Sequence, residues 1–154
     1  MKKLIGILAL ALTLALSLSM FGCDGVFEEE TEKTVGVIVI VDEEEKIYEA
    51  TGNFATVYDV LSELCTVYAE EYFSFSVTNS SYGAFITEIN GYKQDDAAYK
   101  YWVYYTDCPR EEGGVVNYYE EYTFVRGEVT FYSCMSGISG QKVQDGETFL
   151  FTLT

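Results

Sequence analysis

The sequence predicts an α+β domain in which one helix packs across a mixed β-sheet. Three observations carry this: a β-branched run at Val35 to Val41, an amphipathic stretch at residues 56–70, and a series of short aromatic-rich strands separated by turn residues after it.

The chain opens with Lys2 and Lys3, then an apolar run of about 15 residues from Leu4 to Leu18. A comfortable membrane span needs roughly 20, so this is the pattern of an export signal. Ser19-Met20-Phe21-Gly22-Cys23-Asp24 follows, and the whole segment resembles a bacterial lipoprotein signal, with Gly22 as the small residue before the lipidated cysteine. Residues 1–22 are therefore expected to be a signal peptide. Cys23 becomes the lipid anchor in the bilayer, and dual acylation suffices for stable attachment. Residues 23–33, with Glu28, Glu29, Glu30 and Glu32, read as an acidic tether, and 34–154 as one domain. The expected location is extracytoplasmic, anchored to a bacterial cell membrane and facing the cell surface.

Within the domain, Val35 to Val41 and Lys46 to Ala50 form a hairpin across the charged turn at Asp42 to Glu45. Thr56 and Asp59 have the spacing of a capping box. Val57, Val60, Leu61, Leu64 and Tyr68 then fall at intervals of three and four, which puts them on one face of a helix. Cys65 sits at the edge of that stripe as a small apolar residue. Tyr72 to Val77 reads as a short strand, Asn79 to Gly83 as a turn, and Ala84 to Ile89 as a strand closed by Asn90-Gly91. Tyr99 to Thr106 alternates Tyr101, Val103 and Tyr105 against Trp102 and Tyr104. Val115 to Ser133 reads as a hairpin around Arg126-Gly127, and Asp145-Gly146-Glu147 turns into a last strand, Thr148 to Leu153. A hairpin, a helix and further strands make a β-grasp-like arrangement.

Composition excludes several chemistries. There is no histidine, so Ser-His-Asp and Cys-His catalysis and His-containing metal sites are out. Asp95-Asp96 and the 42–45 run lack the spacing and glycine of a calcium loop and read as solvated turns. No nucleophile–base pair or phosphate loop is present, so no catalytic residue, no metal site and no cofactor is assigned. After residue 22, seven basic residues face 25 acidic ones, a formal charge of −18. That surface repels nucleic acid.

Tyr82-Gly83, the strand ending in Ile89-Asn90-Gly91, Tyr101-Trp102-Val103-Tyr104-Tyr105, Gly137-Ile138 and Asp145-Gly146-Glu147 occur in this order after the helix at Thr56 to Leu64. Together they resemble the β-grasp domain shared by the C-terminal part of transcobalamin and intrinsic factor and by many bacterial surface proteins of unknown function. The resemblance covers about residues 34–154. It departs at about 109–133, where an inserted Tyr-rich hairpin replaces a short turn. Cys108 and Cys134 bracket this insertion and are expected to pair at its base, worth roughly 3.5 kcal/mol by chain entropy.

With no catalytic signature in the sequence, a non-catalytic binding or interaction module is the expected function. The inserted hairpin, with Tyr118, Tyr119, Tyr122, Phe124, Phe131 and Tyr132, is the expected contact for a protein partner. The alternative, which the resemblance implies, is corrinoid capture at the surface, with Tyr82, Phe85 and Trp102 as candidate ligand-binding rings. These compete with ordinary sheet packing, since the chain has 25 aromatic residues and such residues favour strands.

Overall fold

The computed structural model describes residues 31–154 apart from 113 and 114. The signal segment, Cys23 and the tether as far as residue 30 lie outside the described residues. Strands β1 (Lys33–Val41) and β2 (Glu44–Gly52) form the first hairpin. Its turn residues Asp42 and Glu43 both take positive φ, 46° and 75°, the backbone that matches the twist of paired strands.

Helix α1 (Val57–Val67) follows. Its start is fixed as the sequence predicts. The Asp59 carboxylate accepts from Thr56 N at 2.8 Å, Thr56 Oγ1 at 3.0 Å and Ala55 N at 3.1 Å. Val57, Val60, Leu61 and Leu64 are buried. The helix ends earlier than expected: a 3-10 turn, Ala69–Glu71, carries the chain on to Tyr72, which is left-handed at φ 58°.

A three-stranded antiparallel sheet comes next, β3 (Phe75–Ser80), β4 (Gly83–Ile89) and β5 (Tyr92–Lys93). Asn90-Gly91 makes its second turn, with φ 52° and 84°. The strand expected from Tyr99 begins only at Trp102. Residues 95–100 form a bridged turn in which Asp95 Oδ1 accepts from Ala97 N and Ala98 N, and Tyr99 has φ 55°.

The rest of the chain is β6 (Trp102–Thr106), the short pair β7 (Glu111–Glu112) and β8 (Val115–Val116), then β9 (Tyr118–Arg126), β10 (Val129–Cys134) and β11 (Thr148–Leu153). The main sheet has the order β2-β1-β11-β6-β10-β9. It is mixed: β11 runs parallel to β1 and antiparallel to β6. The fold is thus α+β, one helix on a mixed sheet. Its main core joins the apolar face of α1 to Val35, Val37, Val39, Phe149 and Phe151 of the sheet and to Ile86 and Ile89 of β4.

The insertion is part of this sheet. β10 pairs with β6 only through Tyr132 and Ser133, and a bulge between these two residues interrupts its pairing with β9. Such a bulge bends a strand. The far half of the hairpin then meets the face opposite the helix, where Phe131 and Phe124 pack with Ile38, Ile40, Tyr105 and Leu150 as a second apolar cluster. At its tip Arg126 forms a bidentate pair with Glu45, Nε to Oε2 at 2.9 Å and Nη2 to Oε1 at 2.5 Å, which holds the Glu45 carboxyl below its ordinary range. Two hairpins from opposite edges of the sheet are therefore tied together.

The Cys108–Cys134 pairing is not formed. Among the described residues Cys65, Cys108 and Cys134 are all free thiols. The register explains it. Tyr132 lies opposite Thr106 and Ser133 opposite Tyr105, so Cys134 falls opposite Tyr104, four residues before Cys108. That is roughly 13 Å along a strand, and a disulfide spans no more than about 7 Å between Cα atoms. Instead, Arg110 fastens the base of the insertion. Its Nη1 donates to both Glu147 carboxylate oxygens at 3.0 Å and to the Cys108 carbonyl at 3.4 Å, and its Nη2 donates to the Lys142 carbonyl. Glu147 also accepts from Thr106 Oγ1 at 2.6 Å and Gln144 N at 2.9 Å. The Glu147 side chain is fully buried and that of Arg110 is 9 % exposed.

Candidate binding surfaces

The three rings expected to share a ligand site do not come together. Phe85 and Trp102 line one cleft, with Ile86, Val103, Tyr104 and Phe151, but its volume is about 10 Å³, room for about one water. Trp102 is half-buried on the main core, and its Nε1 donates to the Tyr92 carbonyl at 3.1 Å.

Tyr82 stands apart, at the β3–β4 turn and 75 % exposed. It forms the rim of a second pocket of about 360 Å³, with Asn117, Met135, Ser136, Gln141 and Lys142 among its walls. Ligand sites begin at about 300 Å³. Backbone packing builds this pocket. Gly137 N donates to the Tyr82 carbonyl at 2.9 Å, Ile138 N to the Ala84 carbonyl at 2.8 Å, and Ala84 N to Ser139 Oγ at 2.9 Å. A Cβ on Gly137 would lie 2.6 Å from the Ala84 oxygen, so only glycine permits this approach. Ile138 is fully buried and anchors the loop in the core. From below, Tyr104 Oη donates to the Ser136 carbonyl at 2.5 Å.

Sequence reasoning missed Gln141. Its backbone is tied to the helix start, where Val57 N donates to its carbonyl at 3.0 Å. Its side chain is buried, with Oε1 accepting from Ser136 Oγ at 3.4 Å. Among the described residues, its Nε2 has no hydrogen-bond partner. No local pattern marks this glutamine; the Gly-Ile segment just before it was the nearest signal.

The third surface is the edge of the insertion. Phe124 and Phe131 serve the second cluster, and Tyr118 and Tyr132 pack edge to face at 5.4 Å. Tyr119, Tyr122 and Val125 of the edge strand β9 remain exposed, with Tyr119 and Tyr122 edge to face at 5.7 Å. The expected Tyr-rich contact is thus reduced to this strip.

Among the described residues no group of three Cys, Asp or Glu side chains is placed to hold a metal ion. Burial pushes the pKa of the Tyr104 phenol and of the Cys134 thiol above their ordinary values, and the neighbouring Cys134 adds to this for Tyr104. The folded state therefore keeps protons that the unfolded chain loses from about pH 8.5 for the thiol and about pH 10 for the phenol. Stability is fully present below about pH 8.5 and declines above it, by up to about 1.4 kcal/mol per pH unit for each group. Thermal melts at stepped pH are expected to hold level from pH 6 to 8 and fall above 8.5, with Cys134→Ala reducing the slope between 8.5 and 10.

Comparison with known proteins bears on these surfaces. The model of a family described as a domain of unknown function, DUF4430, matches residues 55–107. That segment holds α1, the small sheet, Tyr82, Phe85 and Trp102. No curated protein sequence matches the chain. Among solved structures, a candidate metal-binding protein from Ruminococcus gnavus ATCC 29149 superposes with a TM-score of 0.52 at 21% identity, over 79% of this chain and 96% of that one. Haptocorrin in complex with Cbi superposes with a TM-score of 0.58 at 18% identity, over 87% of this chain. The chain spans only 28% of haptocorrin's length. At such identities the likeness establishes a shared fold.

Proposed function

We propose that the chain is a lipoprotein anchored through Cys23 on the outer side of a bacterial membrane. It displays a β-grasp domain that binds a partner without catalysis. The carrying observation is the open edge of the main sheet: β9 has no neighbour beyond it among the described strands, and Tyr119, Tyr122 and Val125 are exposed along it. A strand edge offers unpaired backbone groups to an extended segment of another chain, and alternate side chains select it. Supporting this reading, the proximal half of the insertion is fixed by Arg110 and its tip by Arg126, so the strip is held rigid before any partner arrives.

Photo-crosslinking tests it in intact cells. A crosslinker at Tyr122 is expected to trap one discrete protein, whereas the same group at Tyr72, 84 % exposed on the 3-10 turn, traps none. Equal, diffuse adducts from both positions would sink the reading. Deleting residues 109–133 is no test, because it would remove Arg110 from buried Glu147 and strip two strands from the sheet.

Corrinoid capture is the second reading. It is supported by the likeness to haptocorrin and by the adjacency of Phe85 and Trp102. Trp102 is the single tryptophan, so its fluorescence has one source. Saturable quenching by cobalamin or cobinamide at micromolar concentration, beyond the inner-filter effect, would support it. A flat titration would remove the corrinoid reading for this domain.

A further inference from the structure

We propose that the open edge of β9 selects a basic partner, an extended segment in which lysine or arginine alternates with apolar residues. This names the chemistry of the partner and rests on the reading of that edge as the contact surface. The β9–β10 register supplies the first observation. Thr123 pairs with Tyr132 and Tyr119 with Ser133, so Glu120, Glu121 and Tyr122 stand opposite no residue of β10. Extra residues in one strand swing it out of the ladder. Residues 119–123 are accordingly all exposed, where a regular strand on a sheet turns alternate residues inward. The Tyr119 and Tyr122 rings close this bulge, edge to face at 5.7 Å. Only Glu120 and Glu121 lie between them, so both carboxylates leave the chain beside the ring pair.

Rings and acids together have a cation as their complement. The face of a tyrosine ring is the negative part of its quadrupole and attracts an ammonium or guanidinium group. The two carboxylates attract the same groups. The protein does not supply them itself. Glu120, Glu121 and the nearby Glu128 belong to no ion pair among the described residues, and Arg126 of the same hairpin is already held by Glu45.

The edge and the charge narrow the occupant in turn. A second copy of this chain would bring the same acids and a formal −16 with it, and an acidic protein or a nucleic acid is repelled in the same way. A neutral strand would pair with the backbone but strip water from two carboxylates without replacing it. A free polyamine would meet the acids but has no backbone for the strand edge. An extended basic segment satisfies both. Its backbone pairs with residues 123–126, where the β9 ladder is regular, and its alternate side chains reach the rings and the acids. The bulge and its acids therefore select by repulsion as well as by attraction.

The test uses the full chain in zwitterionic detergent and fluorescent peptides of nine residues, the length of β9, in which valine and threonine alternate with lysine, glutamine or glutamate. The lysine peptides are expected to bind, and the glutamine and glutamate peptides about tenfold more weakly. Glu120→Gln/Glu121→Gln and Tyr122→Ala, all at exposed positions, should each weaken the lysine peptides about fivefold. Glu70→Gln/Glu71→Gln removes the same charge from the exposed 3-10 turn and should leave them unchanged. Glutamine peptides that bind as tightly as lysine peptides, an equal loss from the Glu70/Glu71 pair, or no peptide bound at all would each overturn the proposal. A lysine peptide methylated on alternate backbone nitrogens reads the edge separately. It cannot complete a strand ladder and should not bind. Its undiminished binding would remove the edge reading itself, whereas equal binding of glutamine peptides removes only the basic partner and leaves the edge standing.

Discussion

Arg110→Ala is expected to destabilise the domain by about 3–5 kcal/mol, the cost of leaving a buried charge without its partner. The partner is Glu147, whose side chain is fully buried. With Arg110 gone, Thr106 Oγ1 and Gln144 N still donate to the carboxylate, but no positive charge remains against it. The loss should appear as a lowered urea midpoint with little change in slope, since the same surface unfolds. The double variant Arg110→Met/Glu147→Gln separates charge from packing. It removes both charges and keeps most of the volume, so it should recover much of the stability. A double variant as unstable as Arg110→Ala would show that the loss came from packing. Arg110 also holds the Lys142 carbonyl, and Lys142 lines the Tyr82 pocket.

This ion pair shows where a sequence becomes hard to read. Arg110 and Glu147 stand 37 residues apart, and neither lies in a periodic pattern that would pair it with the other. The two cysteines bracketing the insertion offered a visible but wrong staple. What decides the matter is the β6–β10 register, a long-range property that places Cys134 opposite Tyr104. Local features fared better. The helix start is legible because Asp59 need reach only three residues back to Thr56. The Asn90-Gly91 turn is legible because its backbone, at φ 52° and 84°, suits those two residues. The start of β6 was misplaced because alternation at Tyr99 to Tyr101 continues the strand pattern, whereas the Asp95 turn already binds that backbone.

The candidate site was legible in its exposed ring and hidden in its depths. Tyr82 stands out beside Gly83, a turn position at φ 107°. Phe85 and Trp102 follow the same motif logic yet turn to a closed cleft and an internal hydrogen bond. Gln141 has no signature at all, because an unsatisfied amide is a statement about neighbours that arrive from other parts of the chain.

Phe151→Ala should cost about 3–5 kcal/mol, the usual range for emptying a buried aromatic position. Phe151 is fully buried at the centre of the sheet, paired with Val39 on one side and Tyr104 on the other. Its ring stacks on Tyr104 at 5.4 Å and 13°. Neighbouring strands fix the backbone there, so the void cannot collapse fully and the cavity adds to the lost burial. Two readouts distinguish this from general loosening. Phe151 lines the cleft that also holds Trp102, so the new void should change the tryptophan environment and shift its emission to the red. Tyr104, without the ring beneath it, should hold the Ser136 carbonyl less firmly, and amide hydrogen exchange in the 136–141 loop of the folded state should quicken. Phe151→Leu fills most of the void and should restore much of the stability and the emission. It offers no flat face to Tyr104, so amide protection of that loop should recover less than stability. Equal recovery of both would mean that filled volume, rather than the ring stack, supports the pocket floor.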